Sequence, residues 1–151
     1  MKIREANTSD VSLLFEWAND SDVRSNAINT NQITWDGHQS WFQKCLSSGI
    51  TKIFIFETNL IPIGQVRYEF ENNSWIIDYS IDKLYRGKGF GKIMVGKTFE
   101  FFKKEERILA YVKNGNIASV KVFEALGFNE TEIIEIKENK YQIFEKWIVS
   151  K

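Results

Sequence analysis

A loop with three glycines at alternate positions lies in the middle of the chain and constrains the elements around it. It runs from Ile81 to Lys92, after an apolar run at 75–81 typical of a strand and before a stretch with helical periodicity. Glycines in such a loop let successive backbone N–H groups converge on one concave site, and the N-terminus of the following helix adds partial positive charge. The sequence therefore predicts a strand, a phosphate-binding loop and a helix in direct succession.

The charges around the loop support this prediction. From Lys83 to Lys97 there are five basic residues and no acidic residue, whereas the whole chain has 20 Lys and Arg against 20 Asp and Glu. A net charge of zero provides no bulk attraction to nucleic acid or to a membrane surface, so phosphate recognition should be local. We expect the following residues to bind the phosphate: Arg86, Gly87, Lys88, Gly89, Phe90, Gly91 and Lys92.

The spacing of the glycines excludes two common phosphate-binding motifs. A P-loop requires Gly-x-x-x-x-Gly-Lys-Ser/Thr, but Arg86 takes the place of its first glycine and Ile93 the place of its hydroxyl residue. A dinucleotide-binding Gly-x-Gly-x-x-Gly pattern also fails, because no glycine stands at its third position. The pattern that remains is Arg86-x-x-Gly89-x-Gly91.

Composition indicates one globular domain, which we place at residues 1–151. The chain has 43% hydrophobic and 15% aromatic residues, enough to bury a sizeable core at this length. One cysteine, Cys45, and one histidine, His38, cannot supply an internal disulfide or a zinc site of the usual composition, so no metal is expected. Signal-peptide and membrane-spanning patterns are absent from the sequence, and we expect a cytoplasmic protein.

Hydrophobic periodicity and turn residues predict an α+β fold with a mixed, twisted sheet of about seven strands and four helices. Helix starts are expected at Thr8 or Ser9, at Thr34, in the glycine loop and at Asn116. Turns are expected at 59–60, 72–74 and 138–140. The predicted strands are 2–7, 52–58, 62–71, 75–81, 107–113, 130–137 and 141–149.

A second pattern, Asn116-x-x-Ser119-x-x-x-Phe123-x-x-x-Gly127-Phe128, follows the glycine loop after one predicted helix and one predicted strand. The two patterns in this order resemble the acyl-coenzyme-A pyrophosphate loop and the following signature of the GNAT (GCN5-related) N-acetyltransferases. The predicted order of elements resembles that family over essentially the whole chain. The resemblance implies the GNAT acyl-CoA N-acyltransferase fold, with acetyl-coenzyme A as co-substrate.

The resemblance also implies where the cofactor binds. The sheet should open between the strand that ends at Ile81 and the strand 107–113, and the pantetheine arm should pair with backbone near Ser80 and Ile81 like an added strand. The pyrophosphate should bind the N–H groups of residues 87–92, and Asn116 and Ser119 should contribute from the next helix. A backbone N–H near Ile81 should polarise the thioester carbonyl, and an amine held beside it should attack directly.

A protonated amine must lose a proton before it can attack. Alternation along the strand 75–81 places Asp78 on one face with Ile76 and Ser80, so Asp78 is the first candidate for the base, although a solvent-facing role stays open. The second candidate is His38, because a histidine titrates near neutrality, although a packing role stays open for it as well.

The leaving thiolate must gain a proton. Many members of the family use a tyrosine at the position of Phe123 for this step, and phenylalanine has no hydroxyl group. The candidates to replace this tyrosine as proton donor are Tyr79, Tyr111 and water. Of these we expect Tyr79 to be the catalytic residue.

The acceptor should contact the first two helices and the hairpin that follows. Trp17-x-Asn19-Asp20, followed by His38-x-x-Trp41-Phe42, resembles GNAT enzymes that acetylate nucleotide-linked 4-amino-4,6-dideoxy sugars, including those of the pseudaminic acid type. Aromatic rings can stack on a base or a sugar, and an arginine fork can bind a diphosphate, although packing and surface roles stay open for these residues. The expected substrate-binding residues are Trp17, Asn19, Arg24, Gln65 and Arg67.

The sequence therefore predicts N-acetylation of a small-molecule amine, first of all a sugar nucleotide in surface-glycan synthesis. One alternative is a peptide N-terminus or a polyamine, bound in an acidic groove formed by Glu57, Glu69, Glu71 and Asp78. A second alternative is a coenzyme-A-binding module without turnover. The sequence leaves a homodimer open.

Overall fold

The computed structural model describes residues 1–149, and residues 150 and 151 of the predicted domain lie outside the described part. One seven-stranded sheet carries helices on both faces, which confirms the predicted α+β class and mixed sheet. The elements in chain order are β1 (Lys2–Glu5), a 3-10 helix (Thr8–Asp10), α1 (Val11–Ala18), α2 (Ser21–Asn26), α3 (Trp35–Ser47), β2 (Thr51–Thr58), β3 (Ile61–Glu71), β4 (Ser74–Ile81), a 3-10 helix (Lys83–Tyr85), α4 (Phe90–Thr98), a 3-10 helix (Phe99–Phe101), β5 (Glu106–Lys113), α5 (Ile117–Ala125), β6 (Asn129–Ile136) and β7 (Asn139–Ile148).

The order of strands in the sheet is β1-β2-β3-β4-β5-β7-β6. Every neighbouring pair is antiparallel except β4 and β5, which run parallel. These two strands are paired only at Trp75↔Ile108, Ile76↔Leu109 and Ile77↔Ala110. Beyond Ile77 they diverge, which confirms the predicted opening in the sheet.

Each face of the sheet has its own apolar core. On one face α4 and α5 pack against the central strands, and on the other α1 and α3 pack against β2. The most deeply buried members of the first core include Phe56, Val66, Met94, Val95, Ile108 and Phe123. The second core contains Leu14, Trp17, Phe42, Cys45, Ile53 and Ile55. The opening between β4 and β5 therefore lies between two separately packed layers.

Three hairpin turns have positive φ at both central residues, the geometry that matches strand twist in two-residue hairpins. The turns at 59–60 and 72–73 have φ values of 51° and 65°, and 51° and 61°. Their asparagines made them predictable from the sequence, although Ser74 already belongs to β4. The third turn is at Lys137 and Glu138, and not at 138–140 as predicted. The sequence did not reveal its position, because neither central residue is the asparagine or glycine that is typical of such turns.

The start of the first helical segment differs from the prediction of a cap at Thr8 or Ser9. Asn7 is the cap: its side chain accepts the Ser9 N–H, and its own N–H donates to the Asp10 carboxylate. Arg4 donates to the same carboxylate at 2.7 and 2.8 Å. Burial opposes ionisation of Asp10, but the hydrogen bonds from Arg4 and Asn7 outweigh it, so the pKa of Asp10 is lowered.

Ile117 and Phe101, two apolar residues of the helical segments, are exposed. Ile117 is 65% exposed because it is the first residue of α5. Phe101 is 37% exposed because α4 ends at Thr98 and a tighter 3-10 helix follows, which changes the face that each residue presents. The helix α2 (Ser21–Asn26) is an additional element, so residues 1–149 contain five α-helices and not the predicted four.

Gly64 of β3 lies in close contact with α4 and β4. A Cβ at this position would come within 2.6 Å of Met94 Cε and of the Ser80 carbonyl oxygen. We expect Gly64→Ala to lower the free energy of unfolding by about 1–3 kcal/mol, because a backbone carbonyl in a sheet cannot move aside easily. Gly49→Ala is the matched control, since a Cβ there would meet nothing within 4 Å. Urea denaturation compares them, and equal loss of stability would contradict the packing argument.

Candidate active site

A cavity of about 750 Å³ occupies the opening between β4 and β5. It is lined from one face of the sheet by Arg24 and His38 and from the other by Ser119 and Phe123, with Asp78 of β4 between them. Gly87 of the glycine loop also lines it. One cavity therefore joins the glycine loop to the space under the N-terminal helices.

The glycine loop leads from the cavity, which Gly87 lines, to the N-terminus of α4. Gly87 and Gly89 have φ values of 74° and 81°, a left-handed geometry that favours glycine. Gly89 is the residue that precedes α4, and no side chain of the described residues caps this helix start. Lys88 and Lys92 are exposed beside it. The first-turn N–H groups and these two lysines suit an anionic ligand.

Arg86 is placed differently from the prediction that it binds phosphate. Its Nη2 lies 2.7 Å from Asp20 Oδ2, its Nη1 lies 3.1 Å from Asp22 Oδ2, and its Nε donates to the Ile81 carbonyl oxygen at 3.0 Å. Burial opposes ionisation of Asp20, but the bonds from Arg86 and backbone N–H groups outweigh it and lower the pKa of Asp20. Arg86 thus attaches the loop to the start of α2 through partners that are more than 60 residues away in sequence. Local sequence patterns do not reveal such long-range contacts.

Asp78 stands at the diverging end of β4, on the face that the alternation predicted. Gln65 of β3 donates to Ser80 Oγ at 3.1 Å and to Asp78 Oδ2 at 3.4 Å. Arg67 Nη2 lies 3.7 Å from Asp78 Oδ2, and the Asp78 side chain is 55% exposed. The structure therefore brings together Asp78, Gln65 and Arg67 on one wall of the cavity.

Arg67 is held by contacts besides Asp78. Its Nε lies 3.3 Å from Glu69 Oε1, and its guanidinium lies 5.1 Å from the centroid of the Trp41 ring. A cation over an indole face gains electrostatic attraction without giving up its remaining N–H donors. Arg67 is therefore positioned from both β3 and α3.

His38 is packed among aromatic rings. It is 2% exposed, and its ring lies next to those of Phe15, Trp41 and Phe42. Its Nε2 is 2.8 Å from the Val11 carbonyl oxygen, which can only accept, so Nε2 carries the hydrogen. Burial lowers the pKa of His38, and the bond to Val11 offsets this only in part. The geometry fits a neutral packing residue better than the base suggested by the sequence.

Tyr79 lies on the opposite face of β4 from Asp78. Its hydroxyl is 3.0 Å from Ser119 Oγ, and its ring contacts that of Phe123 edge to face with centroids 5.8 Å apart. Burial raises the pKa of Tyr79, so the phenol is protonated at neutral pH. The hydroxyl groups of Tyr79 and Ser119 therefore lie near Phe123 in the cavity wall. Tyr111 also lines the cavity.

Asn116 and Ser119 also meet at this wall. Asn116 Oδ1 accepts the Ser119 N–H at 3.3 Å and caps α5, as the sequence predicted. Both residues line the cavity. The cap therefore fixes the position of the Ser119 hydroxyl relative to Tyr79.

Two of the five predicted substrate-binding residues have structural partners instead. Asn19 lies at the end of α1 and exchanges two hydrogen bonds, of 2.9 and 2.8 Å, with the backbone of Ile33, and it is not among the residues that line the cavity. Trp17 is 5% exposed and donates its indole N–H to Asp82 at 2.9 Å, so only its ring contributes to the wall. Arg24, Gln65 and Arg67 line the cavity, and their role in substrate binding stays a prediction.

The acidic groove predicted for a peptide or polyamine does not form. Of its four residues only Asp78 lines the cavity. Glu57 bonds to Arg4 at the other end of the sheet, and Glu69 bonds to Arg67. Strand alternation and pairing separate carboxylates that looked close in sequence.

Two residues of the cavity wall were not identified from the sequence. Lys113, the last residue of β5, donates from Nζ to the Ser25 carbonyl oxygen at 2.8 Å. Tyr141 stands opposite it on β7, is 1% exposed, and has a buried hydroxyl without a hydrogen-bond partner in residues 1–149. Lys113 could have been identified from the sequence, because it is the last residue of the predicted strand that borders the opening.

Within residues 1–149 no group of three or more His, Cys, Asp and Glu side chains is arranged to hold a metal ion. The same part of the chain has no helix with the length and apolar character needed to span a membrane.

Comparison with known proteins identifies similar chains. A spermidine N-acetyltransferase from Vibrio cholerae, solved with coenzyme A and spermine, has a TM-score of 0.85 at 16% identity, covering 97% of this chain and 95% of the other. An α-N-acetyltransferase of ribosomal protein L7/L12, solved with coenzyme A, has a TM-score of 0.83 at 14% identity, covering 99% and 94%. At these identities the likeness shows the fold.

A sequence relative and a family model extend the comparison. An uncharacterised protein of Methanocaldococcus jannaschii is 26% identical over 136 residues, which cover 86% of this chain but only 28% of the relative. The model of the acetyltransferase (GNAT) domain matches residues 1–129. The chain therefore belongs to the GNAT family of acetyl-CoA-dependent N-acetyltransferases.

Proposed function

We propose that the protein transfers the acetyl group of acetyl-coenzyme A to a primary amine by direct attack in a ternary complex. The observation that carries this proposal is the cavity at the divergence of β4 and β5, which has the glycine loop at one end and Asp78 in its wall. A thioester at the loop side and an amine under the N-terminal helices would meet at the diverging end of β4. Positioning of the two reactants is the main contribution that such a site makes to the rate.

The coenzyme would bind the free edge of β4. Within residues 1–149 no strand pairs with β4 beyond Ile77 on this side, so the Ile81 N–H is available to a pantetheine amide, whereas the Ile81 carbonyl oxygen accepts from Arg86. The pyrophosphate would accept the N–H groups at the start of α4, with Lys88 and Lys92 beside it. Asn116 and Ser119 would line the other side of the arm.

Asp78 would act as the general base, with Gln65 and Arg67 orienting its carboxylate. It removes one proton from the ammonium group, and the neutral amine forms the C–N bond; the nitrogen then releases its second proton to water as the tetrahedral intermediate collapses and the C–S bond breaks. A backbone N–H near Ile81 would stabilise the oxyanion. The thiolate would take its proton from the hydroxyl of Tyr79, which bonds Ser119 and replaces the hydroxyl missing at Phe123.

For the acceptor, we infer the amino group of a nucleotide-linked amino-deoxy sugar in surface-glycan synthesis. The ring of Trp41 can stack on a sugar or a base, and the guanidinium groups of Arg24 and Arg67 can bind a diphosphate. A cytoplasmic location and a homodimer, both considered from the sequence, stay predictions. A polyamine is the second candidate, because the Vibrio cholerae enzyme of similar fold was solved with spermine.

Release of coenzyme A tests the function directly. We expect thiol release from acetyl-coenzyme A with nucleotide-linked 4-amino-6-deoxy sugars, and none with spermidine or short peptides. Turnover only with spermidine or peptides would refute the proposed sugar-nucleotide acceptor but support acetyl transfer. Binding of acetyl-coenzyme A without release by any amine would instead identify a coenzyme-binding module.

Asp78→Asn tests the base. We expect kcat to fall by about 10²–10⁴-fold and its pH dependence to flatten, because an amide cannot accept the proton. Glu69→Gln is the matched control: it removes the other carboxylate paired with Arg67, but Glu69 does not line the cavity. A wild-type kcat and pH profile in Asp78→Asn would exclude this residue as the base.

Gly89→Val tests the phosphate-binding loop. Valine is strained at φ 81° and would place a branched side chain at the start of α4, so we expect the Kd of coenzyme A to rise at least about tenfold. Gly127→Val is the control, since Gly127 has φ 84° and lies outside the cavity. Isothermal titration and thermal melting separate binding from stability. Unchanged affinity in Gly89→Val, at a melting temperature like that of Gly127→Val, would refute the loop as the binding site.

A further inference from the structure

The cavity wall carries more positive than negative charge. Two of its cations are paired with its two carboxylates, Arg86 with Asp22 and Arg67 with Asp78. The charged side chains that line it are Arg24, Arg67, Arg86, Lys113, Asp22 and Asp78. Arg24 and Lys113 remain, and within residues 1–149 neither has a carboxylate within the 4.0 Å of an ion pair.

Arg24 bonds only to backbone carbonyl oxygens. Its Nε donates to Ala18 at 2.7 Å, and its Nη1 donates to Asn29 at 2.9 Å and to Asn31 at 3.2 Å. Its Nη2 makes no hydrogen bond to the described residues. Burial lowers the pKa of Arg24, attraction to Asp78 offsets this in part, and repulsion from Arg67 adds to it. The guanidinium is thus a partly desolvated cation that an anion would stabilise.

Lys113 reaches the same place from the opposite side of the opening. Its ammonium group donates to the carbonyl of Ser25, the residue after Arg24 in α2. Tyr141 pairs with Lys113 across β5 and β7, and its buried hydroxyl lacks a partner in the described chain. A buried hydroxyl without a partner costs free energy that a ligand can recover. Arg24 Nη2 thus has no partner in the described residues, and the Lys113 ammonium group has further N–H donors beyond the one bonded to Ser25.

We propose that the acceptor amine carries a phosphate or carboxylate group and that Arg24 and Lys113 bind it. This inference rests on the proposed acetyl transfer and specifies the acceptor. The subsite lies on the side of the N-terminal helices, because Arg24 bonds to the carbonyl oxygens of Ala18, Asn29 and Asn31. A nucleotide diphosphate meets this requirement, whereas a polyamine would bring further positive charge to a wall that already has an excess of it.

The subsite can be tested without knowing the acceptor. Sodium pyrophosphate is titrated calorimetrically into the full chain in saturating coenzyme A, which keeps the glycine loop occupied. We expect binding to the wild type and affinity at least about tenfold weaker in Lys113→Gln, because a charge-assisted bond is lost. Lys2→Gln, an exposed lysine of β1, is the control. No binding to the coenzyme-loaded wild type, or equal affinity in Lys113→Gln, would overturn the proposal.

A turnover assay separates this inference from the proposed function. Glucosamine and glucosamine 6-phosphate differ only in the phosphate, and we expect kcat/KM to be at least about tenfold higher for the phosphate. Lys113→Gln should lower this preference at least about tenfold, measured as the ratio of the two kcat/KM values within the same variant. Equal kcat/KM in the wild type would overturn the anion subsite while the acetyl transfer stands. If neither sugar releases coenzyme A, the pyrophosphate titration decides the subsite, and failure of coenzyme A itself to bind would refute the proposed function.

Arg24→Gln is a supporting variant. Because Arg24 also holds the backbone at Asn29 and Asn31, its melting temperature is measured with its affinity for pyrophosphate. We expect weaker pyrophosphate binding even where coenzyme A affinity is retained. Wild-type affinity for pyrophosphate in this variant would remove Arg24 from the subsite.

Discussion

The divergence of β4 and β5 is the constraint on which the remaining features of the site depend. Parallel pairing stops after three residue pairs, and the strands then part. Strand edges in a protein interior need hydrogen-bond partners, so an opened sheet is stable only where solvent or a ligand reaches it. The opening creates the cavity and exposes the edge of β4, and Gly87 of the glycine loop lies at the cavity wall. A ligand of extended shape with amide groups suits this edge.

α2 connects the two strands that border the opening. Its N-terminal carboxylates, Asp20 and Asp22, bind Arg86 in the loop after β4, and the carbonyl of Ser25 binds Lys113 at the end of β5. These contacts span both sides of the cavity although α2 has only six residues. The short helix and the segment that Arg24 holds therefore set the shape of the acceptor end, while the glycine loop and α5 set the coenzyme end.

The two faces of β4 separate the two proton transfers of the proposed reaction. Asp78 points to the side of the N-terminal helices, with Gln65 and Arg67, and Tyr79 points to the side of α5, with Ser119. Strand alternation enforces this separation, since adjacent residues face opposite sides of a sheet. In the proposed reaction Asp78 can then take a proton from the amine, and Tyr79 can give one to the thiolate, without exchanging protons with each other.

The sequence by itself determined the elements that depend on local conformation. Glycines at 87 and 89, the cap at Asn116, the asparagine turns and strand alternation at Asp78 all follow from backbone preferences of single residues. The motifs indicated the family, and the coenzyme-binding role of the glycine loop stays a prediction. The turn at Lys137 and Glu138 lacked such residues, so its position was misjudged. Only the tertiary structure decided which polar side chains are free. Three side chains that could have bound a ligand instead bond to partners distant in sequence: Arg86, Asn19 and Trp17. Lys113 lines the cavity because it lies at the end of β5. Hydrogen bonds between distant segments depend on how whole layers pack, and no local pattern encodes that packing.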